Sequence, residues 1–259
     1  MANLTSLSYP IYSTGTYECG LTLNLNLVSH FQSNVILGGF CKGKTLERLK
    51  NRLPFSRINV FKFPDNQQQY SELSLSNDPL ISVIPYALKN LQHTRYSEFN
   101  NYSAKVNEKI SKQLNGGLNS TDERDKCDEH IIRAINLTEW IQNNNVSNIA
   151  HIHLDIESED LDILEQFKTP LYLMTHQISI ELRPSQNETL LKSFRRLWLI
   201  MKYHKFIPLI IDKQKVLPFK DYRNYLSNSR SCKVYCFSIK QYTAITSLDL
   251  VNEYQGFKF

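Results

Sequence analysis

The sequence predicts a single doubly wound α/β domain whose sheet is mostly parallel and carries an antiparallel pair at its edge. Three observations predict it. Short apolar runs alternate along the chain with segments of helical spacing, as in a parallel sheet covered by helices. The apolar runs are near-continuous rather than strictly alternating, as expected of strands buried on both sides. The length, 259 residues, suits one large α/β domain, and no internal repeat divides it.

Taken in order, the first strand is Asn34–Gly39, an apolar run that ends on two glycines. A helix follows over 42–53, with Leu46, Leu49 and Leu53 at helical spacing and Pro54 closing it. The second strand is expected over Arg57–Phe63, stopping at the turn signature Pro64-Asp65-Asn66. Leu80–Pro85 is a third apolar run. Residues 90–129 are polar, contain Asn115-Gly116-Gly117, and read as an insertion outside the core. Regular structure resumes with a short helix at Leu137–Asn143, a strand at Ile149–Ile156, and a helix at Ser158–Phe167 with Leu161, Leu164 and Phe167 inward. A strand at His176–Leu182 leads to a helix at Glu188–Tyr203 bearing Leu190, Leu191, Phe194, Leu197, Trp198 and Met201. The last strands are Phe206–Ile211 and Lys233–Ile239; no helix is read between them, so they form the antiparallel edge pair.

Composition narrows the function classes. Hydrophobic residues make up 41% and charged residues 21%, an ordinary globular balance, and the low counts of glycine (8) and proline (9) exclude a low-complexity chain. The net charge of +5 is scattered without a basic stripe, so a nucleic-acid partner gets only weak support. No apolar run reaches the ~18 residues of a membrane span, and the N-terminus shows no secretory signal, so a soluble, cytoplasmic protein is expected. The five cysteines include no CxxC pair, and Cys232 and Cys236 read as buried thiols. Sequons occur at Asn3, Asn101, Asn119, Asn136, Asn145 and Asn187; without a signal they read as non-functional.

Ligands of such a sheet bind beyond the carboxyl ends of its strands, where the strand order reverses. After the first strand, Gly38 and Gly39 permit a tight turn, and Gly43 opens the next helix, whose unpaired N–H groups favour a carboxylate or phosphate. Gly43-Lys44-Thr45 matches a phosphate-binding loop only in part, lacking its leading glycine. After the second strand, Asp65 and Asn66 are placed either to accept ribose hydroxyls or to form an Asx turn. The strand beginning at Ile149 ends at Asp155, followed by Glu157 and Ser158; a carboxylate closing an apolar strand either faces the cleft or has a buried partner. His151, His153 and Asp155 alternate onto one face, which admits a rival reading as zinc ligands of a hydrolase, with His176 or His204 completing the set.

Several of these blocks, in order over residues 17–240, resemble the FkbM-type methyltransferases and their animal methyltransferase-like relatives. The block His153-Leu154-Asp155-Ile156-Glu157-Ser158, continuing Asp160-Leu161-Asp162-Ile163-Leu164, is similar to that family's LKxDxEG strand and following helix. Leu137–Ile141 matches the short helix before it, and Gln177–Arg183 matches a QLxxEIH strand. Val35–Cys41, Val60–Asn66 and Ile84–Leu88 resemble the upstream segments. The chain departs from the pattern at Leu37, where most methyltransferases carry an acid. It departs again at Pro64-Asp65, which moves a carboxylate by one residue, and at His153, Ser158 and Arg183.

The resemblance implies a Rossmann-like methyltransferase domain spanning 1–259, with S-adenosylmethionine as cofactor and a small-molecule or sugar-like hydroxyl as acceptor. It places the cofactor on Gly38, Gly39, Gly43, Asp65 and Asn66, and the acceptor's base among Asp155, Glu157 and His153, with no metal. The departures motivate a second expectation, a degenerate methyltransferase fold kept as a binding or structural subunit.

Overall fold

The computed structural model describes residues 12–13, 22–23, 32–39, 46, 49–51, 53–61, 78–84, 86–89, 134–156, 159–183, 188–212, 215–217 and 219–238. Within them an eight-stranded sheet organises the chain. Its strands are β3 (Asn34–Gly39), β4 (Arg57–Phe61), β5 (Ile81–Ile84), β8 (Ile149–Asp155), β9 (Thr175–Leu182), β10 (Phe206–Asp212), β11 (Lys215–Val216) and β12 (Cys232–Ser238). Two short two-stranded pairs, β1 (Tyr12–Ser13) with β2 (Thr22–Leu23) and β6 (Ala87–Leu88) with β7 (Ala134–Ile135), stand apart from it.

Across the sheet the order is β11-β10-β12-β9-β8-β3-β4-β5. From β3 the chain steps to β4 and β5 on one side, then returns to β8 and β9 on the other, all in parallel. The order therefore reverses between β3 and β8, the switch point of a doubly wound sheet. The fold class read from the sequence is thus the observed one.

The antiparallel pair is also present, but β12 is not at the rim. It lies between β9 and β10 and runs antiparallel to both. The connection from β10 to β12 corrects the reading that it holds no helix: it contains β11 and helix α4 (Tyr222–Asn228). Seven residues with only Tyr222 and Leu226 facing inward give too short a repeat to register as helical periodicity.

Three further helices, α1 (Leu137–Asn143), α2 (Asp160–Glu165) and α3 (Leu190–His204), lie close to the expected spans because their caps and apolar stripes are local. Asn136 accepts hydrogen bonds from the Thr138 and Glu139 amides and starts α1; it is buried, which removes this sequon from the surface. Thr189 caps α3. Lys205 ends α3 in the left-handed region, at φ 59°, where glycine is favoured.

The helices bury their stripes on one side of the sheet. Trp140, Leu164, Phe194, Leu197 and Met201 join Ile152, Leu154, Ile178 and Ile180 in the main core. A smaller core on the other side joins Val35, Leu37, Ile58 and Val60 to Leu46, Leu49 and Leu53. Leu46, Leu49, Lys50 and Asn51 are helical, as expected for 42–53.

The outer edge of β10 is finished by a side chain. The Tyr222 hydroxyl accepts the Ile210 amide at 2.9 Å and donates to the Pro208 carbonyl at 3.4 Å, standing in for a neighbouring strand where β11 does not reach. Replacing Tyr222 with Phe leaves a buried N–H unsatisfied, and urea unfolding should show a loss of about 1–2 kcal/mol. Lys205→Gly should raise stability by about 1 kcal/mol in the same assay by relieving the left-handed backbone.

Candidate functional site

The register of β3, β8, β9 and β12 lays three rows of side chains across one face of the sheet. The innermost row is Val35, His151, Gln177 and Phe237; the middle row is Leu37, His153, Ser179 and Tyr235. The last row, at the carboxyl ends of the parallel strands, holds Gly39 beside Asp155 on β3 and β8, and Glu181 beside Lys233 on β9 and β12. This last row borders the switch point, where ligands of doubly wound sheets bind.

Gly39 has a positive φ of 103°, and a Cβ there would collide with the Asp155 carbonyl. Only glycine permits so close an approach of the two strand ends. The position over Gly38, by contrast, is filled by Leu88, Leu154 and Ile156, so Gly38 belongs to the packing of the opposite face. Leu37, where an acid was the family expectation, is buried in the smaller core.

Asp155 is held by a partner the sequence reading treated only as a departure. One Arg183 guanidinium nitrogen lies 3.3 Å from Asp155 Oδ1 and 3.3 Å from Glu181 Oε2. The Asp155 side chain is 10% exposed and Arg183 is 44% exposed, so the triad sits at the rim of the sheet with the cation outward. Period-two spacing from Glu181 puts Arg183 on the Asp155 face, a signal visible only once β8 and β9 are known to be neighbours.

Asp160, the first residue of α2, is a further residue the sequence reading passed over. Its Oδ1 accepts the Ile156 amide at 2.9 Å and so shapes the turn that follows Asp155. Burial, opposed in part by that hydrogen bond, pushes its carboxyl up to about 8, and its Oδ2 finds no partner among the described residues. Nearby Glu159 is also raised by burial, against the pull of Lys89 at 3.9 Å.

His151 and His153 do share a face, but they converge on a serine. Ser179 Oγ lies 2.8 Å from His151 Nε2 and 2.7 Å from His153 Nδ1, with the rings stacked at 6.4 Å. The hydroxyl's single proton can satisfy one ring, so the other ring must donate to Oγ. Of the outward nitrogens, His151 Nδ1 and His153 Nε2, one is then a bare acceptor and the other an N–H. Neither has a partner among the described residues. Burial lowers both imidazoles, with the neighbouring ring adding to the effect on His151 and Lys233 to that on His153, which falls to about 4. Both are neutral near pH 7.

The rival zinc set does not form. His204 lies in the core, accepting the Leu171 amide at Nδ1 and donating from Nε2 to the Leu164 carbonyl. His176 bonds Asn148 at the amino end of β9, away from Asp155. Among the described residues no three His, Cys, Asp or Glu side chains are grouped to hold a metal. Cys232 and Cys236 are buried free thiols, both raised by burial. Of the remaining expected site residues, Gly43, Asp65, Asn66 and Glu157 lie outside the described residues, as does the insertion at 90–129.

No family model matches the sequence, and no curated protein matches it. Solved structures share its chain path at low identity. The plantazolicin methyltransferase BpumL in complex with SAH is 10% identical, with 91% of this chain and 82% of that chain covered and a TM-score of 0.43. Fibrillarin of Aeropyrum pernix, with natively bound S-adenosyl-L-methionine, is 10% identical over 82% and 72% of the two chains, with a TM-score of 0.39. The Methanococcus jannaschii fibrillarin pre-rRNA processing protein is 11% identical over 80% of this chain and 66% of its own, with a TM-score of 0.40. Likenesses of this size say nothing about ligand or reaction. Among the described residues no helix is long and apolar enough to cross a membrane.

The site's two kinds of buried group give stability opposite dependences on pH. Asp160, raised in the fold, binds its proton more tightly there than in the unfolded chain, so its contribution is lost as pH rises from about 4 toward 8. The lowered histidines act the other way, losing stability as pH falls below about 6.5. Urea unfolding at pH 5, 6.5 and 8 should show Asp160→Asn, which keeps the acceptor for Ile156, gaining on the wild type by a few kcal/mol between pH 5 and 8.

Proposed function

We propose that this protein is an S-adenosylmethionine-dependent methyltransferase of the FkbM type, acting on the hydroxyl of a small-molecule or sugar-like acceptor. The observation that carries the reading is the meeting of Gly39 and Asp155 across the switch point of a doubly wound sheet. Asp155 belongs to the block most recognisable of the family, and Gly39 to an upstream segment that resembles it. The glycine conformation lets the ends of β3 and β8 approach closely at the switch point. Gly39 and Gly43 would meet the cofactor's methionine carboxylate, and Asp65 and Asn66 its ribose. When bound, the cofactor supplies an electrophilic methyl group on a sulfonium centre.

The protein's own residues then have two tasks. The first is positioning, which an in-line displacement needs more than covalent catalysis. Arg183, by holding Asp155 and Glu181 together, fixes the acid at the end of β8. The second is removal of the acceptor's proton, for which Asp155, Glu157 and His153 are the bases at hand. Asp155 is engaged by the Arg183 guanidinium at 3.3 Å. His153 is neutral and so able to take a proton, but it is buried.

A second reading, a methyltransferase fold retained as a binding subunit, is favoured by the same ion pair, which gives the Asp155 carboxylate a structural partner. Calorimetry with S-adenosylmethionine and S-adenosylhomocysteine separates the two: the enzyme should bind both with Kd on the order of 10 μM, and absence of heat at millimolar cofactor excludes methyl transfer. With labelled cofactor and a panel of hydroxylated acceptors, Asp155→Ala should cut methyl incorporation by about 100-fold while leaving cofactor affinity within about threefold.

A further inference from the structure

The outward face of α3 carries large apolar side chains that its burial of the core does not explain. Leu199 is 63% exposed and Tyr203, one turn later, is 55% exposed. The Tyr203 hydroxyl reaches the Lys168 carbonyl, and His204 holds the Leu171 amide, so this end of the helix adjoins the turn at Leu171–Leu173. There Leu173 is 63% exposed and Tyr172 lies beneath the Lys205 ammonium, 5.4 Å from the ring centre. Three of the four exposed large apolar residues among those described therefore lie on α3 and on the turn that adjoins its C-terminal end.

Among the described residues, the charges around this surface that lack an ion-pair partner have one sign. Lys168, Arg195, Lys202 and Lys205 are exposed and have no carboxylate partner among the described residues. The acids bordering it, Asp162 and Glu165, are both taken by Arg196. An apolar ridge with an unneutralised cationic rim is complementary to an acidic amphipathic segment. A second copy of the chain would bring cation against cation. Nucleic acid would meet the cations but gain little from two exposed leucines, and the Tyr203 ring is already packed edge-on against His204.

We propose that the outer face of α3, with the Leu171–Leu173 turn, is a docking surface for an acidic amphipathic helix of a partner protein, with Leu199 and Tyr203 as its apolar anchors. The surface lies on residues distinct from the Gly39–Asp155 site, so it stands whether or not the protein transfers methyl groups.

The test uses the full chain and a fluorescent acidic peptide of about 16 residues, its leucines at i, i+3, i+4 and i+7 spacing and glutamates elsewhere. Anisotropy should show saturable binding with Kd on the order of 10–100 μM, weakened at least about tenfold by Leu199→Glu and by the double variant Arg195→Glu with Lys202→Glu. A peptide with lysines in place of the glutamates should recover binding to the double variant. Unchanged melting curves keep loss of folding out of the result, since every substituted side chain is exposed. The proposal is overturned if the peptide does not saturate by about 1 mM, or if a scrambled peptide of equal charge binds as well. It is also overturned if a single-stranded RNA binds more tightly in a Leu199-dependent way, or if light scattering shows a dimer that Leu199→Glu disrupts.

Discussion

The structure depends on the parallel pairing of β3 with β8. It joins the two halves of the sheet and sets the point where the strand order reverses. The pairing runs as far as Gly39 and Asp155, and the last step of it tolerates no side chain on β3. A β-carbon at Gly39 would push the Asp155 backbone away and with it the acid that Arg183 secures. The conformational freedom of one glycine and the location of the only charged side chain on β8 are therefore a single constraint.

Behind that strand end the sheet carries polar groups where an apolar layer would be simpler. His151, His153, Ser179 and Gln177 are all buried on the face that also holds the Asp155 row. Burying two imidazoles on one hydroxyl leaves an unmatched donor and an unmatched acceptor, an arrangement that costs free energy unless another group answers it. Together with protonated Asp160, these residues make the middle of the sheet tuned by protonation rather than by ion pairing. Arg183 brings a fixed charge to the Asp155 row from the rim.

Helix α3 carries two stripes with different tasks. Its inward stripe closes the main core against β9 and β10, and its outward stripe presents Leu199 and Tyr203 beside unpaired cations. The amphipathic repeat that made the helix legible accounts for the first stripe; the second falls on positions where that repeat calls for polar residues.

Local features were readable from the chain itself. Apolar runs bounded by Gly39, Pro54 and Asn136 set the strands and helices close to their observed limits, because capping, turn chemistry and periodicity act over a few residues. The prominence of Gly39 and Asp155 was likewise visible, each closing an apolar run. What tertiary structure decided was adjacency: that β12 slips between β9 and β10, that Arg183 lies against Asp155, and that Ser179 stands between His151 and His153. Those pairings join residues 24 to 60 positions apart, a register that no local pattern records. The hydrogen bond from Tyr222 to β10 belongs with them, since it exists only because a strand edge was left uncovered at that point. Sequence governs what each segment can become; the protonation state and partner of each buried polar group follow from which segments are brought side by side.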